Sequence, residues 1–110
     1  MSIPSSATKL ASADHGSHGQ PGSGATQRSA SVWRLISGKF ACQVRERSGS
    51  NQGYIEWHHE REVIYRHASL DELLAVALSE ESVPEIRAAI REAIGDAEDA
   101  MDAASTSQTA

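Results

Sequence analysis

The sequence predicts an α+β fold: a small antiparallel β-meander of three to four strands followed by two amphipathic helices. Three observations carry this expectation. Apolar residues recur at helical spacing from residue 70 to about 103. They alternate with polar residues between Ser31 and His67. Large apolar residues are scarce before residue 31.

The helical pattern is the strongest. Ser69-Leu70-Asp71-Glu72 has the form of a capping box, a hydroxyl three residues ahead of a carboxylate. Leu70, Leu73, Leu74, Ala77 and Leu78 then fall on one face, which places a helix over 70–79. A second start follows at once. Ser82-Val83-Pro84-Glu85 again resembles a capping box, with proline where its missing amide costs little. Ile86, Ala89, Ile90, Ala93, Ile94, Ala97 and Met101 form one stripe, which places a helix over 83–103. That stripe is either core or a dimer seam. Gly95 lies away from it and marks a place where the helix can end or fray.

The strand region reads from period-two alternation. Residues 31–37 and 39–47 form a hairpin if Ser37-Gly38 is a two-residue turn. That register pairs Leu35 with Phe40 and Trp33 with Cys42. It puts Trp33, Leu35, Phe40, Cys42 and Val44 on the core face, and Arg34, Lys39, Gln43 and Arg45 on the other. Residues 54–59 and 62–67 alternate as well. Either a tight turn near Glu60-Arg61 separates two strands there, or one long bent strand runs through.

Met1 to Ala30 is dominated by small and polar residues and has no aromatic. Such a segment buries too little surface to offset its ordering entropy, so 1–30 is expected to be a disordered leader. The same holds for the tail, 104–110. The domain itself is expected to span 31–103. This order of elements is similar to that of the small HicB-type antitoxins, in which strands precede a capped amphipathic helix. The likeness is one of topology and implies no function.

The net charge of −5 conceals an internal split. From Arg28 to His67 seven Arg and Lys face four Glu, a balance of +3; from Ala68 onward two Arg face ten Asp and Glu, a balance of −8. All the aromatics lie in the basic part: Trp33, Phe40, Tyr54, Trp57 and Tyr65. Such asymmetry points to an electrostatic partner. The expected function is a protein-interaction module. In it, the acidic flank of the second helix (Glu85, Glu92, Asp96 and Asp99) engages a basic protein surface, or the chain pairs with itself as a homodimer. The alternative is nucleic-acid binding through a basic strand surface of Arg34, Lys39, Arg45 and Arg47. The aromatics assigned to the core face count against that alternative.

Enzyme chemistry is not expected. No glycine-rich phosphate loop, nucleophile elbow or CxxC pair occurs. A metal-dependent enzyme is the remote alternative. It would draw on Glu56 and His58 with His67 or Glu62, since zinc needs three or four converging ligands. Cys42, the one cysteine, is expected in the core. No cofactor is implied. No apolar run approaches the ~20 residues of a membrane span, and a cytoplasmic location is expected.

Overall fold

A computed structural model describes residues 3–17, 22 and 24–109. Among these residues the chain forms a four-stranded antiparallel sheet followed by two helices. The elements are β1 (Thr8–Ser17), β2 (Gly24–Arg34), β3 (Phe40–Asn51), β4 (Ile55–His67), α1 (Leu70–Glu80) and α2 (Pro84–Thr109). The strands lie in chain order, β1-β2-β3-β4. Both helices pack on one face of the sheet, α2 across β1 and β2, α1 against β3 and β4. None of the described helices is long and apolar enough to cross a membrane.

The α+β meander and the two helices match the expectation; the placement of the strands does not. Thr8–Ser17 and the start of β2 fall inside the segment expected to be unstructured. The reason is the size of the residues that meet there. Ala13 and Ala30 are buried in one cluster with Ala89, Ala93 and Ala97 of α2, which packs on β1 and β2, and Leu10 and Ala11 pack against that cluster. Small side chains let helix and sheet approach closely, so burial proceeds without large aliphatics. The leader expectation for residues 1–2, 18–21 and 23 lies outside the described residues, as does that for residue 110 of the tail. Through Thr109, α2 continues as helix, past Gly95 and past residue 103. Gly95 is solvent-exposed and breaks nothing.

The hairpin register also differs from the expected one. The turn between β2 and β3 is longer than two residues. Gly38 N–H donates to Leu35 O at 2.9 Å, and Leu35 N–H donates to Lys39 O at 2.8 Å. Gly38 has φ of 90°, the left-handed region that glycine enters freely. Ile36 and Ser37 are thus the turn's central residues, and Ile36 is 87% exposed. The extra residue shifts β2 by one, pairing Val32 with Cys42 and Trp33 with Ala41. A one-residue slip exchanges the faces. Val32 and Ala30 enter the core and Trp33 turns to the opposite side.

Residues 55–67 form one strand, not two separated by a turn. Its irregularity is a bulge: Ser48 pairs with His59 and Gly49 with Trp57, leaving His58 as the extra residue. Gly49 permits the close approach there, since a Cβ at this position would collide with the Glu56 carbonyl.

The helix stripes fit the sequence reading closely. Leu73, Ala77, Ile86, Ala89, Ile90, Ala93, Ile94 and Ala97 are buried with Val32, Cys42 and Val44 in one core. The α2 stripe therefore packs on the sheet and is not a seam between chains. Ser69 caps α1: its Oγ accepts from Glu72 N–H at 3.2 Å. Glu72 instead reaches β4, its Oε2 lying 2.6 Å from His67 Nδ1. Ser69→Ala should lower stability by about 1 kcal/mol, measured by urea unfolding, with little change in helix content.

Candidate functional site

The face of the sheet opposite the helices is open. Strand alternation fixes what it carries. Ala13, Ala30, Val32, Cys42 and Val44 point to the helices, so their neighbours point away. Lys9, Ser12 and Asp14 come from β1, Gln27, Ser29, Ser31 and Trp33 from β2, and Gln43, Arg45 and Arg47 from β3. They line a shallow depression of about 370 Å³. Its floor is low because serines fill the middle of β1 and β2. Trp33 and the arginines form its walls.

Each tryptophan on this face sits beside a cation. Lys9 Nζ lies 5.5 Å from the centre of the Trp33 ring. The Arg47 guanidinium lies 4.4 Å from the centre of the Trp57 ring. Arg47 Nε also donates to Gln27 Oε1 at 2.6 Å. Arg45 donates to Glu60 Oε1 at 2.8 Å, with Glu62 Oε2 3.5 Å from its Nε. Trp33 Nε1 is shielded and has no hydrogen-bond partner among the described residues.

The four basic residues expected to share a strand surface are only partly brought together. Arg45 and Arg47 share the open face. Arg34 pairs with Phe40 and projects to the helix side, and Lys39 lies outside the strands. Lys9 takes their place. It comes from β1, where the sequence offered only an alternation of small residues: Ala11 and Ala13 between Ser12 and Asp14. The same register shift moves Trp33 from the expected core face to the open one.

The acidic residues of α2 are placed differently. Glu85, Glu92, Asp96 and Asp99 are exposed along the outer side of the helix. Glu92 Oε2 lies 2.9 Å from His15 Nε2 of β1, so the flank runs along the β1 side of the molecule.

The residues weighed for catalysis do not converge. His58 Nε2 lies 3.2 Å from Ser50 Oγ near one end of β4. His67 sits at the other end beside Glu72. Among the described residues, no group of three or more His, Cys, Asp or Glu is arranged to hold a metal ion. Cys42 is fully buried, and burial, reinforced by the Glu81 charge, pushes its thiol up to about 12. At neutral pH it is a protonated core residue, as its position in the strand pattern suggested.

A second polar cluster lies on the helix side. Arg28 Nε is 2.8 Å from Glu46 Oε2, and Arg61 Nε is 3.6 Å from Glu46 Oε1. Arg61 also donates to both oxygens of Glu81, at 2.5 and 3.3 Å. Tyr65 donates its hydroxyl to Glu81 Oε2. Glu81 is the C-cap of α1, and its N–H donates to Ala77 O. From α2, Arg87 donates to the carbonyls of Leu78 and Glu81. This chain of charges ties three strands to the junction of the helices. Burial would raise the Glu81 carboxyl, but the Arg61 and Tyr65 hydrogen bonds outweigh it and hold the group below its ordinary value. The sequence matches no protein-family model, and neither a curated protein nor a solved structure matches it.

Proposed function

We propose that this chain is a binding module that works through the open face of its sheet, with single-stranded nucleic acid as the partner. The observation that carries this reading is the presence of Trp33 and Trp57 on that face, each beside a cation, with Arg45 between them. Bases stack on aromatic faces without regard to sequence, and nearby cations neutralise phosphates. Lys9 and Arg47 would move from ring to phosphate as a base takes the ring face. Gln27 and Gln43 offer donors and acceptors to base edges. The face is nearly neutral, because Asp14, Glu60 and Glu62 offset its cations. Stacking therefore supplies most of the affinity, and the salt dependence should be shallow. Three phosphate contacts give a slope of about −2 in log K against log salt.

A second reading rests on the exposed line of Glu85, Glu92, Asp96 and Asp99. As a protein-interaction surface it would engage a basic partner, and its contacts would be screened over about 8 Å at physiological ionic strength.

One pair of double variants separates the two. Arg45→Glu with Arg47→Glu should abolish binding to a mixed pool of single-stranded oligonucleotides, read as the loss of tryptophan quenching. Asp96→Lys with Asp99→Lys should leave it unchanged or tighten it, because repulsion of phosphate falls. Asp96 and Asp99 are chosen because Glu92 already pairs with His15. Quenching that survives the arginine reversals would rule out the sheet-face reading. Absence of quenching in the wild-type chain would do the same.

A further inference from the structure

We infer that the outer edge of β4 pairs antiparallel with the same edge of a second copy, joining two sheets into one of eight strands. The inference is independent of the open-face reading.

β4 is an edge strand of thirteen residues. Edge strands present unpaired N–H and C=O groups, and natural proteins protect them with charged side chains, proline, bulges or a covering element. The two edges of this sheet differ. β1 has a register shift at Leu10. β4 has its bulge at His58, near one end, and the stretch from Glu60 to His67 is regular and free of glycine and proline. Beside that stretch lies a depression of about 390 Å³ lined by Glu62, Val63, Ile64 and Arg66.

The residues on this edge complement their own reversed copy. An antiparallel pair centred on Ile64 sets Glu62 opposite Arg66 twice, once on each side of the two-fold axis. It sets Val63 opposite Tyr65 twice and Ile64 opposite itself. The pairing respects the faces, since residues of one parity stay on one side of the sheet. Opposite charges directly across a strand pair stabilise, and like charges destabilise. Arg61 would face His67, but each already has a carboxylate, Glu81 and Glu72. Moving the centre to Arg61 would set Glu60 against Glu62, so the charge pattern selects the Ile64 register over that one. An interface of this kind is isologous and closes at two copies. Pairing of one strand buries less than the ~1,200 Å² of a standard interface, so the dimer is reversible and concentration-dependent.

The test is sedimentation velocity on the full chain over a range of concentrations. The wild-type chain should pass from monomer to dimer. Glu62→Lys and Arg66→Glu should each weaken self-association at least about tenfold, because two attractive pairs become repulsive. Mixing these two variants should restore the dimer, since each then meets its opposite charge on the other chain. Ile64→Glu is a further variant; it sets two carboxylates together on the axis and leaves the Arg45–Glu62 pair in place. Circular dichroism confirms that each variant is folded. A wild-type chain that stays monomeric throughout overturns the inference. So does a dimer that neither single reversal nor Ile64→Glu weakens, or a mixture of the two reversals that stays monomeric.

Discussion

A chain shortened to begin at Gly24 should melt about 10 °C or more below the full chain, or lose its cooperative transition altogether. The segment removed carries β1, which pairs with β2 from Thr8 to Ser17. It also takes away Ala13 from the core, Leu10 and Ala11 from its margin, and the His15 partner of Glu92. α2 lies across β1 and β2, so half of its support disappears and the apolar stripe beneath it meets water. β2 would become a new edge, exposing a ladder of unpaired backbone groups. A loss of several kcal/mol is a large share of the stability of so small a domain. Thermal unfolding followed by circular dichroism makes the measurement. A shortened chain melting within a degree or two of the full one would show that β1 contributes nothing to the fold, as its composition alone suggested.

That composition shows where sequence reasoning reaches its limit. Hydrophobic periodicity is legible when large residues alternate with polar ones. The α2 stripe and the β3 pair of Cys42 and Val44 were therefore placed correctly. In β1 the inward residues are alanines, which contribute little to any hydropathy pattern. Their fit depends on Ala89, Ala93 and Ala97 lying opposite, a match between segments some eighty residues apart that local pattern does not record. The hairpin error has a different origin. Ser37-Gly38 fits both a two-residue turn and the end of a longer one, and the two differ by one residue in register. The two-residue turn sets Trp33 opposite Cys42 and so on the core side; the longer turn sets Val32 there instead. The core instead took the smaller residue, and the larger one went to the open face.

The candidate site inherits that error directly. Arg45 and Arg47 were legible as surface cations because β3 was placed correctly. The two-residue-turn register puts Trp33 in the core; the observed register puts it on the open face with Arg45 and Arg47. Lys9 and Asp14 are out of reach of pattern reading, since large apolar residues are scarce in the segment that holds them. The acidic flank was legible in full, because the period of a single helix fixes which of its residues share a side. Glu81 was not. Its sequence context is a run of acidic residues at a helix end, and only the return of β4 beneath that end supplies Arg61 and Tyr65.

Glu81→Gln should lower stability by about 2 kcal/mol at neutral pH, the scale of hydrogen bonds to a charged group. Glu81 is 4% exposed while Arg61 remains 44% exposed, so the loss is tempered by water that can still reach the guanidinium. The effect should depend on pH with a definite sign. The folded chain holds the Glu81 carboxyl below its ordinary value of 4.5: burial acts to raise it, and the Arg61 and Tyr65 hydrogen bonds prevail. A group with a lowered folded pKa binds fewer protons when folded than when unfolded. Its contribution is therefore complete above its ordinary value and is lost as pH falls through the lower folded one. Tyr65 behaves in the opposite sense. Burial first, then its bond to Glu81, raises its hydroxyl above the ordinary value of 10. That contribution is complete below pH 10 and fades as the solution becomes more alkaline than the folded group. Urea unfolding at neutral pH should thus separate the wild-type chain from Glu81→Gln clearly. The same measurement well below pH 4.5 should bring the two curves together. A gap that persists unchanged in acid would mean that Glu81 acts through its shape at the helix end, not through its charge.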